Sequence, residues 1–125
     1  MITLRKVDYL TISKYFVDFQ KKAKDFDLPE DTAQSIGIYK GSELIGYFII
    51  QGYNNTDVEV LQGYLIKKYR HQDLSKQCMA ILESMCKQAG YKTMVLATGS
   101  RFKAYLRFAD SLGYKPRHLE FSKEI

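Results

Sequence analysis

The sequence predicts a mixed α/β (α+β) fold, with a mostly antiparallel central sheet and helices on both of its faces. Three observations predict it. Short apolar or alternating runs bounded by Gly, Asn and Asp read as strands. Longer segments repeat their apolar residues at helical spacing. The two kinds interleave in the order β–α–(α)–β–β–β–α–β–α–β.

Taken in chain order, "MITLRKV" alternates apolar and polar residues and reads as a first strand. Asp8 can cap a helix over roughly 9–24, with Tyr9, Ile12, Phe16, Phe19 and Ala23 near helical spacing. "DFDLPEDTAQ" is a loop with a helical turn at Pro29. "QSIGIYKGSELIGYFIIQGY" has two β-rich arms around "KGSE" and reads as a hairpin, with Gly41 free to take a positive φ. "NNTD" is a second turn and "VEVLQGYLI" a further strand, completing an antiparallel meander. A helix over roughly 73–89 buries Leu74, Cys78, Ile81, Leu82, Met85 and Ala89, and Gly90 suits its end. "YKTMVLAT" reads as a buried strand. "GSRFKAYLRFADSLGY" is a second amphipathic helix capped by Ser100, with Phe102, Tyr105, Leu106, Ala109 and Leu112 inward and Gly113 ending it. "KPRHLEFSKEI" closes the chain as a last strand.

Length and composition set bounds on function. A chain of 125 residues has room for one domain, 1–125, around a single core. Its longest apolar runs, such as "YFII", are far too short to cross a bilayer, and the charged N-terminus lacks a signal peptide's apolar segment, so a cytoplasmic location is expected. Cys78 and Cys86 fall in one helix, about 12 Å apart at about 1.5 Å per residue, which excludes a disulfide between them there. They read as buried thiols of a reducing compartment. His71 and His118 stand far from each other and from the thiols, so no metal spacing exists. Residues 1–62 carry 7 basic and 9 acidic side chains, and residues 63–125 carry 12 and 5. An anionic partner therefore meets the second half, either a phosphorylated cofactor or a nucleic acid. The basic residues are scattered, without an aromatic-interleaved patch, which argues against nucleic acid.

The most informative stretch is "YRHQDLSK", residues 69–76. It lies between the strand "EVLQGYLI" and a helix, where amides at a helix start commonly hold a phosphate. Such cradles usually use glycine, and Asp73 and Ser75 stand there instead. Asp73 can also be read as a plain N-cap for a helix starting at Leu74.

Three stretches together resemble the GNAT superfamily of acyl-CoA-dependent N-acetyltransferases over nearly the whole chain. "YKGSELIGYFII" looks like that fold's second and third strands. "LIKKYRHQDLSKQCMAILESMCKQAGY" looks like its cofactor motif, a strand, R-x-x-G-x-G/A and a long helix. "FKAYLRFADSLGYKP" looks like its late helix, ending in Gly113 and Tyr114. The resemblance implies acetyl-CoA as cofactor and an amine as acceptor, whether on a protein or a small molecule. It places Arg70, His71, Asp73, Leu74, Ser75 and Lys76 around the pyrophosphate, and the main chain at Leu65 and Ile66 along the pantetheine arm. Arg70 matches the motif's arginine, Asp73 its first glycine and Ser75 its small residue.

The resemblance also implies a carboxylate base on the strand before the loop, here Glu59, whose neighbours Val58 and Val60 point the other way on a strand. Glu59 can also be read as a solvated glutamate on an exposed strand face. Ala109 falls where many members place the tyrosine that protonates the thiolate, and Phe102 where they often have asparagine; Tyr105, on the same side of the helix as Ala109, could supply the hydroxyl or pack in the core. Two functions follow: an N-acetyltransferase working by direct attack in a ternary complex, or a catalytically inactive relative with a binding or structural role. The structural role could be that of a phage-encoded virion protein, and a homodimer or a place in an assembly is open under either function.

Overall fold

The computed structural model describes residues 1–15, 33–52, 54–97, 110–117 and 120–125. Its elements are β1 (Ile2–Val7), α1 (Tyr9–Tyr15), β2 (Ala33–Lys40), β3 (Glu43–Gly52), β4 (Asp57–Leu65), a 3-10 turn (Lys67–Tyr69), α2 (Gln72–Gln88), β5 (Thr93–Ala97), β6 (Lys115–Arg117) and β7 (Glu120–Glu124). The strands form one seven-stranded sheet in the order β1-β2-β3-β4-β5-β7-β6. β1 to β4 are an antiparallel meander, β4 and β5 are parallel, and β7 returns antiparallel to β5. The expected mixed, mostly antiparallel sheet is thus observed.

β3 explains the longest apolar run. Residues 45–50 of "ELIGYFIIQG" are all buried, because β3 is paired on both edges and covered on both faces. Its even positions, Phe48 and Ile50, join a core with Ile36, Ile38, Val58, Val60 and the inner face of α2. Tyr47 and Ile49 pack on the opposite face with Ile12 of α1, while Ile45, the extra residue at the register shift opposite Ile38 and Tyr39, stays in the α2-side core. Period-two alternation thus divides one strand between two cores.

Local turn chemistry fixes the register. Lys40 pairs with Glu43 across a two-residue turn where Gly41 has φ 61°, a left-handed conformation that costs glycine little. At the next turn the Asn54 side-chain oxygen accepts from the main-chain amides of Thr56 and Asp57, both at 2.8 Å. Gly90, at φ 102°, ends α2 as expected.

Several expectations change. α2 begins at Gln72, and its cap is His71 rather than Asp73. His71 has extended backbone and its imidazole Nδ1 accepts from the Leu74 amide at 3.3 Å, leaving Asp73 exposed in the first turn. Met79 belongs to the buried face of α2, whereas Ala89, its C-cap, is exposed. Tyr9 is also exposed, since the inner face of α1 centres on Ile12. The closing segment is a pair of strands, β6 and β7, rather than one. The second half of the predicted first helix, and the predicted late helix up to 109, lie outside the described residues; 110–111 are helical.

Tyr114, fully buried, fastens the far side of the sheet to α2. Its hydroxyl donates to Glu83 Oε2 at 2.8 Å, and Lys123 Nζ donates to Glu83 Oε1 at 3.2 Å. No helix among the described residues is long and apolar enough to cross a membrane. No group of three His, Cys, Asp or Glu among them could hold a metal ion.

Candidate active site

The site is built where β4 loses a neighbour. Parallel pairing with β5 runs from Asp57–Thr93 to Val60–Leu96 and stops. At that point β4 carries a bulge: Ile50 pairs with Val60 and Ile49 with Gln62, so Leu61 is the extra residue. From Leu61 to Leu65, β4 is paired to β3 alone among the described residues.

The direction of the free edge follows from the ladder. In an antiparallel pair the main-chain groups of alternate residues point to the same neighbour. The Ile66 amide donates to the Ile45 carbonyl at 2.9 Å, and the Tyr64 carbonyl faces Gly46 of β3 closely enough to collide with any Cβ added there. The N–H and C=O of Gly63 and Leu65 therefore point the other way, toward the open edge. Of the two positions expected to hold a pantetheine arm, Leu65 offers its main chain. Ile66 does not, because its carbonyl also accepts from Tyr69 N.

A cavity of about 330 Å³ opens beside this edge, beneath the first turns of α2. Its walls are apolar, with Phe48, Val60, Met79 and Leu96 among them, while Arg70 and Ser75 bring polar groups to it. The Cys78 thiol also lines it, and burial pushes its pKa up to about 11, so it stays protonated and unreactive near neutral pH.

The start of α2 lies above the cavity. A helix leaves its first amides without internal partners. Here Leu74 N is taken by His71 Nδ1 and Ser75 N by the His71 carbonyl. The amides of Gln72 and Asp73 remain to face an anion, with the helix dipole behind them. The Asp73 carboxylate opposes an anion there, and Lys76, one turn on, offsets it. Arg70 is turned back toward the sheet. Its Nε donates to the Leu65 carbonyl at 2.5 Å, and its guanidinium lies over the Tyr64 ring, 4.9 Å from the centroid. Sequence reasoning did not find Tyr64; the chain reverses through the 3-10 turn to bring it under Arg70, and no local spacing signals that.

Glu59 lies on the other face. Val58 and Val60 join the α2-side core, so Glu59 points to the α1 side, opposite Gln51 of β3. The bulge then puts Leu61 and Gln62 on that same side, where Gln62 Nε2 donates to Tyr47 Oη at 2.8 Å. The structure therefore gathers Leu65, Arg70, His71, Asp73, Leu74, Ser75 and Lys76 at one end of α2 and sets Glu59 across the sheet. Tyr105, Phe102 and Ala109 lie outside the described residues.

The family model for the GNAT acetyltransferase family matches residues 4–114. The chain belongs to the GNAT acetyltransferase family. Solved GNAT structures share the fold end to end. The IAA acetyltransferase from Bacillus cereus superposes with a TM-score of 0.81 at 9% identity, covering 100% of both chains. A GNAT acetyltransferase from Elizabethkingia anophelis with acetyl-CoA bound gives 0.75 at 12% identity, covering 99% of this chain and 98% of that one. The PaiA N-acetyltransferase of Thermoplasma acidophilum, in complex with coenzyme A, gives 0.73 at 16%, covering 100% and 99%. No curated protein sequence matches the chain. At these identities the likeness to solved structures is one of fold, and the GNAT assignment rests on the family model.

Proposed function

We propose that this protein is an acetyl-CoA-dependent N-acetyltransferase that moves an acetyl group to an amine by direct attack in a ternary complex. The observation that carries the reading is the stretch of β4 beyond its pairing with β5, where the Gly63 and Leu65 main chain faces an edge that no strand among the described residues covers, beside an apolar cavity and the N-terminus of α2. An extended pantetheine arm suits such an edge, because it can complete the ladder that β5 leaves unfinished. The cavity lining fits its apolar stretches. The amides of Gln72 and Asp73, with Arg70 and Lys76, are the groups available to the pyrophosphate, and the Asp73 carboxylate is the one feature that opposes it.

When bound, acetyl-CoA supplies an activated thioester carbonyl. The chain supplies the rest. The Leu65 N–H, directed at the open edge, is placed to stabilise negative charge developing on that carbonyl oxygen. Glu59 faces the α1 side, from which an amine can approach without crossing the cofactor arm, and accepts the amine's proton through a water. The new C–N bond forms as the C–S bond breaks, and the thiolate takes its proton from solvent.

Binding and chemistry are tested separately. Acetyl-CoA at 100 times its Kd is expected to stabilise the fold by about 2.7 kcal/mol, read as a thermal shift. No shift at millimolar acetyl-CoA overturns the reading. Glu59→Gln is expected to lower kcat about 100-fold toward a responsive amine while leaving acetyl-CoA affinity intact. An unchanged kcat removes Glu59 from the mechanism.

A further inference from the structure

The contact between Arg70 and Leu65 has a consequence for donor choice. The Leu65 carbonyl points to the free edge of β4, so an amide N–H of any strand-like ligand on that edge needs it as acceptor. Arg70 Nε already donates to that carbonyl at 2.5 Å. The guanidinium is not loosely placed: it lies on the Tyr64 ring, Tyr64 stacks on Tyr47 with centroids 5.4 Å apart, and Tyr47 is fully buried with its hydroxyl accepting from Gln62. Arg70 also lines the cavity. The carbonyl oxygen has two lone pairs, but the guanidinium occupies its outward side, so an acyl-pantetheine arm and Arg70 meet in the same space at the mouth of one cavity.

A phosphate changes that competition. A guanidinium can meet a phosphate through two parallel hydrogen bonds and gains a charge–charge attraction that a neutral carbonyl does not offer. Arg70 lies two residues before Gln72, whose first-turn amide, with that of Asp73, is free to hold an anion nearby.

We propose that Arg70 is a specificity-determining gate: it covers the free edge of β4 and withdraws when a phosphate recruits it, so the protein selects nucleotide-bearing thioesters over short pantetheine thioesters. The proposal rests on the acetyl-CoA reading above. It makes the two halves of the donor bind cooperatively, because the nucleotide half clears the carbonyl that the acyl half needs, and the coupling is reciprocal. Arg70 therefore acts on donor selection even though the arm, and not Arg70, carries the thioester.

The test is calorimetric titration with acetyl-pantetheine, alone and in saturating adenosine 3′-phosphate 5′-diphosphate, alongside acetyl-CoA. The wild-type protein is expected to bind acetyl-pantetheine about tenfold more tightly when the nucleotide is present, the size of an ordinary coupling. Arg70→Met, which keeps an apolar contact to Tyr64 but cannot donate, is expected to bind acetyl-pantetheine alone about tenfold more tightly than wild type, with no further gain from nucleotide. Tyr64→Leu removes the seat of the guanidinium without removing a phosphate donor, and is expected to shift affinity the same way by a few-fold. Independent binding of the two halves by the wild type, or no gain in Arg70→Met, overturns the gate while leaving acetyl-CoA binding standing. A wild-type protein that does not bind acetyl-CoA at millimolar concentration overturns the proposed function and the gate with it.

Discussion

The two halves of β4 differ on either side of one extra residue. From Asp57 to Val60 the strand has a neighbour on each edge, and Val58 and Val60 are buried under α2. From Leu61 to Leu65 it keeps β3 and has no partner on the β5 side among the described residues. The first half is cohesive because Val58–Val60 have strand partners on both edges and the apolar side chains are covered. The second turns the main chain of Gly63 and Leu65 toward the edge of a cavity, where no strand among the described residues meets it and the Leu65 carbonyl is met by Arg70 instead. The difference teaches where this fold has room for function: where, among the described residues, the middle of the sheet parts between β4 and β5.

The largest effect is expected from the closed half's packing. Leu82, fully buried on α2 against that side of the sheet, should lose about 3 kcal/mol on Leu82→Ala, measured by denaturant unfolding. Acetyl-CoA affinity per folded molecule should not move; a parallel loss of affinity would mean the two halves are not separable.

Gly46→Ala acts on the open half. A Cβ there would lie 2.2 Å from the Tyr64 carbonyl oxygen and 3.1 Å from Leu65 Cα, both backbone atoms that cannot rotate away. We expect a loss of about 2 kcal/mol by the same measurement, together with weakened acetyl-CoA binding, because β4 must shift just where its edge is open. Unchanged binding would show that the geometry of that edge is not critical.

Cys78 beside the open half and Cys86 at the other end of α2 test whether their surroundings are equally dry. Burial raises both thiols to about 11 from 9.0, with Glu83 adding to the effect at Cys86. A raised folded pKa means the unfolded chain ionises first, so stability is intact below about pH 9 and falls as pH rises through about pH 11. Unfolding midpoints compared between pH 8 and pH 10.5 should show the fall, and Cys78→Ala with Cys86→Ala should flatten it. A slope that persists in the double variant would assign it to other groups.

The smallest effect is electrostatic. Asp73→Asn removes the carboxylate at the anion end of α2 and keeps the side chain's size. Acetyl-CoA should bind about fivefold more tightly, less so at high salt. A loss of affinity would show that Asp73 contacts the ligand favourably, through its own partner.

Much of the fold was legible in the sequence because its signals are local. The Gly41 turn, the Asn54 turn, the helix stop at Gly90 and the β-rich arms on either side of "KGSE" each follow from residues close in the chain. The site was legible in outline, through Arg70 and the helix that follows it. It was misread where two local rules competed: Asp73 is a good cap by residue type, but the chain extends through His71 and lets the imidazole reach Leu74 first. The Glu83–Tyr114–Lys123 contacts had no sequence signal, since they join residues 31 and 40 positions apart.

The sequence by itself determined the β-rich runs of the meander, the helical stripe from Leu74 to Leu82, and the charge of the second half. Those depend on side-chain periodicity and composition, which the chain carries whatever its neighbours. Only the tertiary structure decided where β5 leaves β4, that the Leu65 carbonyl rather than any group of Ile66 faces the gap, and that Arg70 turns back onto Tyr64 to meet it. A strand's free edge exists only relative to the strands beside it, so no residue of β4 could announce it alone.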